Sequence, residues 1–525
     1  MRKYIIILLA VAMTNVAFSQ KDANYNKIKR SYTINSDGTI DYNYRKELKL
    51  ISLRSFFSVY GETFIVYNPE FQKLKINESY TIRKDGSKVQ TPANAFVEQL
   101  PSTCTNCQRY NGIREMVVVH TALEYDATIV LDYTITSTAT DFSEVIDWVE
   151  NAPVDNYEVS VTLPQGKDLF YDMQNSTAKP TIKGNTYTWN MKKLKQSAAE
   201  YYAPAQSELY PVLYLSTKST AAEDFNIFTS KLSEYNSLIN SLKVAGDKMK
   251  TAVAIRNYVA NYINHNNIPL ALVNNKVSTS VQTLSSGCGT TMDKAVLVRD
   301  MLIEAGFEAS LNIPTTIRKS PNGDFATIDE NNVMVSVVID GKTYDMSPIS
   351  TAEPVQCLKE KSISNISNSS LDLADAKITV HSQIKIDNAK VNDGVNIKLD
   401  VVDAKNGYYT IDFGMPQYGI NILPHYLTSK RSTPVVCGKT NESYSFNILL
   451  PENVKYIGQR VDIKYEKPFG SIKIKIFQKE DTLVVERQLT ITDEQISVKD
   501  YKAFRQMMID WTTPNYTNIM FKYEK

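Results

Sequence analysis

Histidine is scarce in this sequence, which contains four histidines among 525 residues. They are His120, His265, His381 and His425, so none lies between residues 266 and 380. The side chain that takes up a proton near neutral pH in an enzyme is most often a histidine. Residues 266–380 therefore lack the usual general base, which argues against acid–base catalysis that draws its base from that stretch.

An excess of charge of one sign is also missing, because 58 basic residues face 57 acidic ones. A nucleic-acid-binding protein is expected to carry a strong positive field, so we predict no nucleic-acid partner. The sequence also lacks, in a supporting context, the motifs typical of α/β-hydrolases, zinc peptidases, P-loop proteins and dinucleotide-binding proteins. We accordingly predict no cofactor.

Long apolar runs are absent except at the N-terminus. There, two basic residues precede an apolar run from Tyr4 to Met13, and Ala17-Phe18-Ser19 matches the small-x-small pattern of a signal peptidase site. The run is shorter than the roughly 20 residues that cross a bilayer, which disfavours a membrane anchor. We predict a signal peptide over residues 1–19, secretion, and no membrane span after cleavage.

Five cysteines, an odd number, would then meet an oxidising compartment. Cys104 and Cys107 form a CxxC, which is compatible with a local disulfide, a redox pair or half of a metal site. No second CxxC or histidine pair completes a tetrahedral ligand set, so we predict a Cys104–Cys107 disulfide and no metal. Cys288, Cys357 and Cys437 remain, and at least one of them should be a free thiol.

The periodicity of apolar residues divides the chain into β-rich and mixed parts. Alternation with a period of two predicts antiparallel strands near both ends of the chain, whereas spacings of three and four predict helices over residues 224–264. The fold class is therefore multidomain α+β. The predicted parts are an N-terminal β-sandwich-type domain (20–216), a central α+β module (217–357), a Ser/Asn-rich linker (358–377) and a C-terminal β-rich domain (378–525).

The segment "GTTMDKAVLVRDMLIEAGF" is predicted to be a helix with defined ends. Thr290 followed three residues later by Asp293 resembles a capping box, and Gly306 stands where a helix C-terminus favours glycine. Two predicted strands follow, the second with an Asp340-Gly341 turn.

The central module resembles the bacterial transglutaminase-like superfamily, which has a papain-like fold. The resemblance lies in "GTTMDKAVLVRDMLIEAGFEASLNIP", "NNVMVSVVIDGKTYDMSP", "RSTP" and "DYKAFRQMM", and in the order of elements. It is strongest to secreted three-part members with a β-rich domain on each side of the module. It implies a catalytic cysteine at the helix start, a histidine on a later strand and an aspartate before a proline.

All three catalytic positions are substituted in this sequence. Alignment on Gly289 and Asp293 places Thr291 at the cysteine position. The corresponding anchors place Asn332 at the histidine position and Ser347 at the position of the acid.

Three other residues are candidates to replace the missing groups. Cys288 is a cysteine close to the helix, but it lies three residues upstream of Thr291 and outside the first turn, where the helix field lowers a thiol pKa. His265 is a candidate base, although a lone histidine near a helix end is more often structural. Asp345 shares a strand face with Ser347 and is a candidate orienting acid, whereas Asn332 cannot take up a proton.

Three functional hypotheses follow from the sequence and the resemblance. The first is a catalytically inactive transglutaminase-like protein that acts as an envelope binding or scaffolding protein, in the periplasm or at the cell surface. Its partner would be a protein, peptide or glycan of the cell envelope. The alternatives are an active cysteine protease or acyltransferase that uses Cys288, and a glycan-binding envelope protein with an exposed aromatic row on one sheet.

Overall fold

The computed structural model of the chain is β-rich and multidomain. It describes residues 21–138, 142–219, 227, 229–351, 361–373, 376–389, 398–403, 405–413 and 427–524. The predicted signal peptide and Cys357 lie outside the described residues. No helix in the described part of the chain is long and apolar enough to cross a membrane.

The N-terminal region, residues 21–219, consists mainly of strands. They are β1 Ala23–Ile34, β2 Ile40–Leu50, β3 Glu62–Tyr67, β4 Gln72–Ile82, β5 Lys88–Gln90, β6 Phe96–Gln99, β7 Arg114–Val119, β8 Thr128–Ser137, β9 Ser143–Asp147, β10 Val154–Thr162, β11 Phe170–Gln174, β12 Thr181–Lys183, β13 Thr186–Leu194 and β14 Val212–Ser216, with short helices α1 Ser58–Gly61 and α2 Gln206–Leu209. An eight-stranded sheet has the order β12-β13-β10-β1-β2-β8-β4-β5, and two three-stranded sheets have the orders β11-β14-β9 and β3-β7-β6.

The core of the N-terminal region forms between the large sheet and β11-β14-β9. Trp189 and Tyr157 from the large sheet are fully buried there with Trp148, and Leu213 and Leu215 of β14 complete the cluster. The two-residue alternation predicted this arrangement, because successive side chains of a strand point to opposite faces.

The central module, residues 227–351, combines helices and short strands. They are α3 Asn236–Ser241, α4 Lys248–Tyr262, β15 Asn264–His265, α5 Ser280–Ser286, β16 Cys288–Gly289, α6 Thr291–Glu304, β17 Glu308–Asn312, β18 Thr315–Arg318, β19 Phe325–Ile328, β20 Met334–Ile339 and β21 Lys342–Met346. Helix α6 packs against α4, α5, β17 and β20, and its residues 291–302 are all buried. It is the central element of the module.

The predicted ends of α6 are confirmed. Thr290 is the N-cap and exchanges two hydrogen bonds with Asp293, which is a capping box. Gly306 follows the helix with a φ of 98°, a left-handed conformation that glycine adopts without strain. Asp340 and Gly341 have φ values of 50° and 75° in the turn between β20 and β21, as expected for a tight hairpin.

The C-terminal region, residues 361–524, is a second sandwich. Its elements are β22 Lys361–Leu373, β23 Ala376–Ala389, β24 Lys398–Asp403, β25 Tyr408–Asp412, β26 Val435–Val436, β27 Thr440–Leu449, β28 Val454–Tyr456, β29 Val461–Lys467, β30 Gly470–Lys479, β31 Thr482–Ile491, β32 Gln495–Ile496, α7 Tyr501–Thr512 and β33 Asn518–Tyr523. Two sheets, β22-β23-β27-β31-β30-β29 and β24-β25-β33-β28, share one core with the buried face of α7.

The prediction of a linker over residues 358–377 is wrong for most of that segment. Residues 361–373 form β22, which pairs antiparallel with β23. The Ser/Asn-rich composition is tolerated because β22 is the edge strand of its sheet and so presents much of its surface to solvent.

The "RSTP" segment, residues 431–434, attaches the C-terminal region to the N-terminal region. The Glu200 carboxylate accepts hydrogen bonds from the backbone N–H groups of Ser432 (2.8 Å) and Thr433 (2.9 Å) and from both hydroxyls. The buried Arg431 guanidinium lies 3.5 Å from the same carboxylate. Burial raises the pKa of Glu200, but the hydrogen bonds from Thr433 and Ser432 outweigh burial and lower it overall.

We expect Glu200→Ala to lower the free energy of unfolding by about 3 kcal/mol, because it leaves Arg431 without its carboxylate partner. Since the folded-state pKa is lowered, the contribution of Glu200 is present above the ordinary glutamate pKa of about 4.3 and is lost as the pH falls through the folded-state value. Urea denaturation at pH 7 and at pH 3 measures both effects.

The matched control is Glu208→Ala, because Glu208 lies on the same segment and, among the described residues, its side chain hydrogen-bonds only to the exposed Gln495, at 3.2 Å. That variant should stay within about 0.5 kcal/mol of the unmodified protein. Equal losses in the two variants at pH 7 would contradict the role given to Glu200.

Candidate functional site

Thr291, which the resemblance aligns with a catalytic cysteine, is the first residue of α6. Its side chain is buried, with 5% of the residue exposed. The N-terminal partial charge of the helix acts at this point and favours negative charge there. The side chain present is a hydroxyl instead of a thiol.

His265 is held beside Thr291 by the backbone. Strands β15 and β16 pair in parallel with His265 opposite Gly289, and the Asn266 N–H donates to the Gly289 carbonyl at 3.0 Å. This register brings Nε2 of His265 to 3.0 Å from Oγ1 of Thr291. The structure thus brings together Thr291, which the resemblance aligns with the nucleophile, and His265, the candidate base.

The protonation of His265 suits a hydrogen-bonding role at neutral pH. Burial and the charge of Lys294 lower its pKa, so the imidazole is mainly neutral at pH 7. Among the described residues, no carboxylate hydrogen-bonds to the His265 ring, whereas a catalytic histidine is usually oriented by an acid.

Lys294 supports the same segment from inside α6. Its side chain is fully buried, and Nζ donates to the carbonyls of Ile263 at 2.7 Å and Ala260 at 3.3 Å. These carbonyls lie at the C-terminal end of α4, where a cation is favourable. Burial lowers the pKa of Lys294 to about 8.

Asp293 connects the helix start to two other segments. Its carboxylate accepts from the backbone N–H of Thr290 (2.9 Å), from the backbone N–H of Ser278 (2.6 Å) and from the Tyr110 hydroxyl of the N-terminal region (2.9 Å). Gly289 makes this possible, because a Cβ at that position would lie 2.8 Å from the Asp293 Cβ.

The cysteine pairing predicted from the sequence is wrong. Cys107 bonds to Cys288, 181 residues away, with a Cα–Cα distance of 5.7 Å, and Cys104 is a buried free thiol. The pairing arises because the CxxC loop packs against the module, in an apolar cluster that includes Tyr110 and Ile268. Since Cys288 is bonded and buried, it has no thiolate to act as a nucleophile.

The remaining predicted site residues lie elsewhere. Asn332 is exposed, and its side-chain amide donates to Asp329 at 2.7 Å. The Ser347 hydroxyl accepts a hydrogen bond from the backbone N–H of Ile349, two residues later, at 3.4 Å. Asp345 accepts hydrogen bonds from side chains on β20 and β17, namely the Ser336 hydroxyl and the Asn312 amide, and not from His265.

A cavity of about 10 Å³ lies next to Thr291. Its lining includes Asn266, Thr290, Glu330 and Asn331, and the buried Oδ1 of Asn266 has no hydrogen-bond partner. Burial raises the pKa of Glu330, against the effect of the Leu270 N–H that hydrogen-bonds to it. The cavity has room for about one water molecule.

A much larger cleft, of about 820 Å³, opens between the N-terminal region and the central module, and we call it the interdomain cleft. It shares Glu330 and Asn331 with the small cavity. Other lining residues are Arg30, Tyr32, Tyr42, Phe142, Ser143, Glu144, Val145, Tyr214 and Arg318. The candidate site thus lies beside a cleft whose volume is typical of ligand-binding sites.

The sequence carried no signal for the interdomain cleft, because its walls come from segments far apart in the chain. The sequence did not identify Tyr110 and Asn266 as site residues either, because Asp293 and Thr103, which they contact, lie far from them in the chain. A group of three or more potential metal ligands does not occur within the described ranges.

Comparisons with known proteins agree with a multidomain bacterial protein. Two family models match, each described as a domain of unknown function with a solved structure: DUF3857 over residues 36–197 and DUF3858 over residues 415–521. The chain is similar to the crystal structure of a "putative protease" from Parabacteroides distasonis ATCC 8503, with 26% sequence identity and a TM-score of 0.74. The match covers 95% of this chain and 99% of the other. No curated protein matches the sequence.

Peptide mapping without reduction should recover Cys107 and Cys288 in one linked species, because their backbones lie within disulfide range. Free thiols are first alkylated in denaturant, and the digest is then analysed by mass spectrometry. Cys104→Ser is the matched control and should keep the same linked species. A Cys104–Cys107 disulfide that disappears in the control would contradict the observed pairing.

Proposed function

We propose that the protein is a secreted envelope protein whose transglutaminase-like, papain-like central module has lost thiol chemistry and acts in binding. The observation that carries the proposal is the state of the helix start. The resemblance aligns Thr291 with the nucleophile, and Cys288, three residues upstream, is held in a disulfide with Cys107. Cys104, the free thiol of the same cluster, is buried, and burial raises its pKa, so neither of these described cysteines offers a thiolate near neutral pH.

The surroundings of Thr291 support the same proposal. The orienting acid that a histidine base needs is missing from the described contacts of His265, and Asn332 and Ser347 have local partners instead. The cavity next to Thr291, of about 10 Å³, has room for about one water molecule, and Thr291 itself is buried. On this proposal the module keeps the fold of the family, while the described residues around Thr291 lack the thiolate and the oriented base that acyl transfer needs.

The hydroxyl of Thr291 supports a second candidate, a hydrolase that uses threonine as its nucleophile. The 3.0 Å contact with the His265 ring favours it, because a base within hydrogen-bond reach can activate a hydroxyl. The similar protein from Parabacteroides distasonis is named as a putative protease, which also leaves hydrolysis open to test. The burial of Thr291, of which 5% is exposed, argues against it.

The glycan-binding hypothesis has less support. All three tryptophans are buried. The most exposed tyrosines, Tyr125, Tyr201 and Tyr262, belong to three separate segments, so the described surface offers no aromatic row on one sheet. We expect the partner to be a protein or peptide of the cell envelope.

We expect no amine incorporation into glutamine-containing peptides and no peptide hydrolysis by the protein that begins at residue 20. Thr291→Ala should behave in the same way as the unmodified protein, since no reaction depends on the hydroxyl. Mass spectrometry of a peptide library after prolonged incubation measures both reactions.

Two further variants identify the chemistry if turnover is found. Activity that is lost in Thr291→Ala and kept in Thr291→Ser would establish a hydroxyl nucleophile and overturn the proposal. Activity that is lost only in Cys288→Ala would establish a thiol enzyme, also against the proposal.

A further inference from the structure

Three cysteines lie in one buried apolar cluster between the N-terminal region and the central module. Cys107 and Cys288 form the disulfide, and Cys104 is a free thiol of the same cluster. Each of the three residues is at most 2% exposed. A free thiol that shares a cluster with a disulfide has the chemistry needed for thiol–disulfide exchange, in which a thiolate attacks one sulfur of the bond.

The backbone holds Cys104 within reach of Cys107. The N–H of Cys107 donates to the Cys104 carbonyl at 3.2 Å, which closes a four-residue turn over the CxxC. Such a turn keeps its first and last Cα atoms within about 7 Å of each other, and a disulfide joins Cα atoms up to about that separation. The turn therefore accommodates a Cys104–Cys107 disulfide as an alternative to the observed bond.

We propose that Cys104, Cys107 and Cys288 form an internal thiol–disulfide exchange site, whose two states differ in the covalent link between the N-terminal region and the central module. The Cys104 thiolate attacks Sγ of Cys107, so that the Cys104–Cys107 bond forms and the Cys107–Cys288 bond breaks. Cys288 leaves as a thiolate and takes up the proton that Cys104 has lost. One disulfide replaces another, so the step needs no oxidant or reductant.

The contacts of the CxxC loop with the central module keep the site in its observed state. The Tyr110 hydroxyl donates to Asp293 at 2.9 Å, and the Asn266 amide donates to the Thr103 carbonyl at 2.8 Å. These hydrogen bonds hold the loop against the module and keep Cys104 buried. Exchange therefore depends on a local opening of the loop, which costs less than global unfolding.

The surroundings of the Cys104 thiol also disfavour its thiolate. Burial raises its pKa, the Thr103 hydroxyl at 3.9 Å opposes that effect, and the charge of Glu115 adds to it. The module contributes apolar side chains to the cluster, namely Ile268, Leu272 and Val273, and the Asp293 carboxylate contacts the loop through Tyr110. We therefore expect exchange to be slow at neutral pH and to accelerate as the pH rises.

Exchange changes how the N-terminal region is held to the module. In the observed state a covalent bond joins the CxxC loop to the residues before α6, whereas the hydrogen bonds of Tyr110 and Asn266 act without it after exchange. A cross-link over 181 residues restricts the unfolded chain more than one within a CxxC, so the exchanged protein should unfold at a lower urea concentration. The released Cys288 is a thiol in apolar surroundings, which raise a thiol pKa, so exchange by itself supplies no nucleophile.

Peptide mapping over a pH series tests the exchange, using the protein that begins at residue 20. Folded samples are incubated between about pH 6 and about pH 9, quenched with acid, alkylated with N-ethylmaleimide in denaturant and digested without reduction. The species that links Cys107 to Cys288 should persist at the low end. A Cys104–Cys107 disulfide with an alkylated Cys288 should accumulate at the high end, at a rate that rises about tenfold per pH unit because the thiolate is the attacking group.

Tyr110→Phe should speed the exchange at least about threefold, because it removes the hydrogen bond to Asp293 and retains the ring. The matched control is Tyr60→Phe, which loses a hydrogen bond to the Asn151 carbonyl, at 3.1 Å, elsewhere in the N-terminal region. The control should exchange at the rate of the unmodified protein. Thermal unfolding of each variant confirms that it is folded.

Two cysteine variants complete the test. Cys104→Ser should show no exchange at any pH, and folded Cys288→Ser treated with oxidised glutathione should form the Cys104–Cys107 disulfide. Absence of that disulfide from the folded unmodified protein over the whole pH series would overturn the proposal, as would a Cys104–Cys288 disulfide in its place. Failure of Cys288→Ser to form the disulfide would also overturn it, because the turn would then not accommodate the bond.

Discussion

The buried carboxylate of Asp293 accepts hydrogen bonds from three segments: the start of its own helix, the loop before α5 and the cysteine loop of the N-terminal region. A buried carboxylate without such donors would be strongly destabilising, so the three segments and the charge depend on one another. Gly289 allows the close approach, because any Cβ there would collide with Asp293. The position of Thr291, two residues before Asp293, follows from this arrangement, as does the docking of Tyr110 against the module.

The disulfide between Cys107 and Cys288 adds a covalent link at the same point. It closes a very long loop of chain, and a cross-link between distant segments restricts the unfolded state. It also removes Cys288, three residues before Thr291, as a thiol. The site therefore combines a cross-linked framework with a hydroxyl at the start of α6, and a cavity with room for about one water molecule lies beside Thr291.

The small cavity and the interdomain cleft share Glu330 and Asn331. The interdomain cleft therefore reaches the residues beside the start of α6, where Thr291 and His265 lie. A binding function at this place needs shape and charge complementarity but no activated nucleophile.

The sequence by itself determined the features that depend on neighbouring residues. The capping box of α6, the glycine after it, the Asp340-Gly341 turn and the alternation of the strands all have causes within a few residues, so local patterns predicted them. Only the tertiary structure decided the partner of Cys107, the strand formed by residues 361–373 and the contact between His265 and Thr291. A disulfide, an edge strand and a two-residue parallel bridge each join segments that no local pattern relates. The physical reason is that these contacts form when already folded elements pack together, and the free energy of that packing outweighs the weak preferences of the residues concerned.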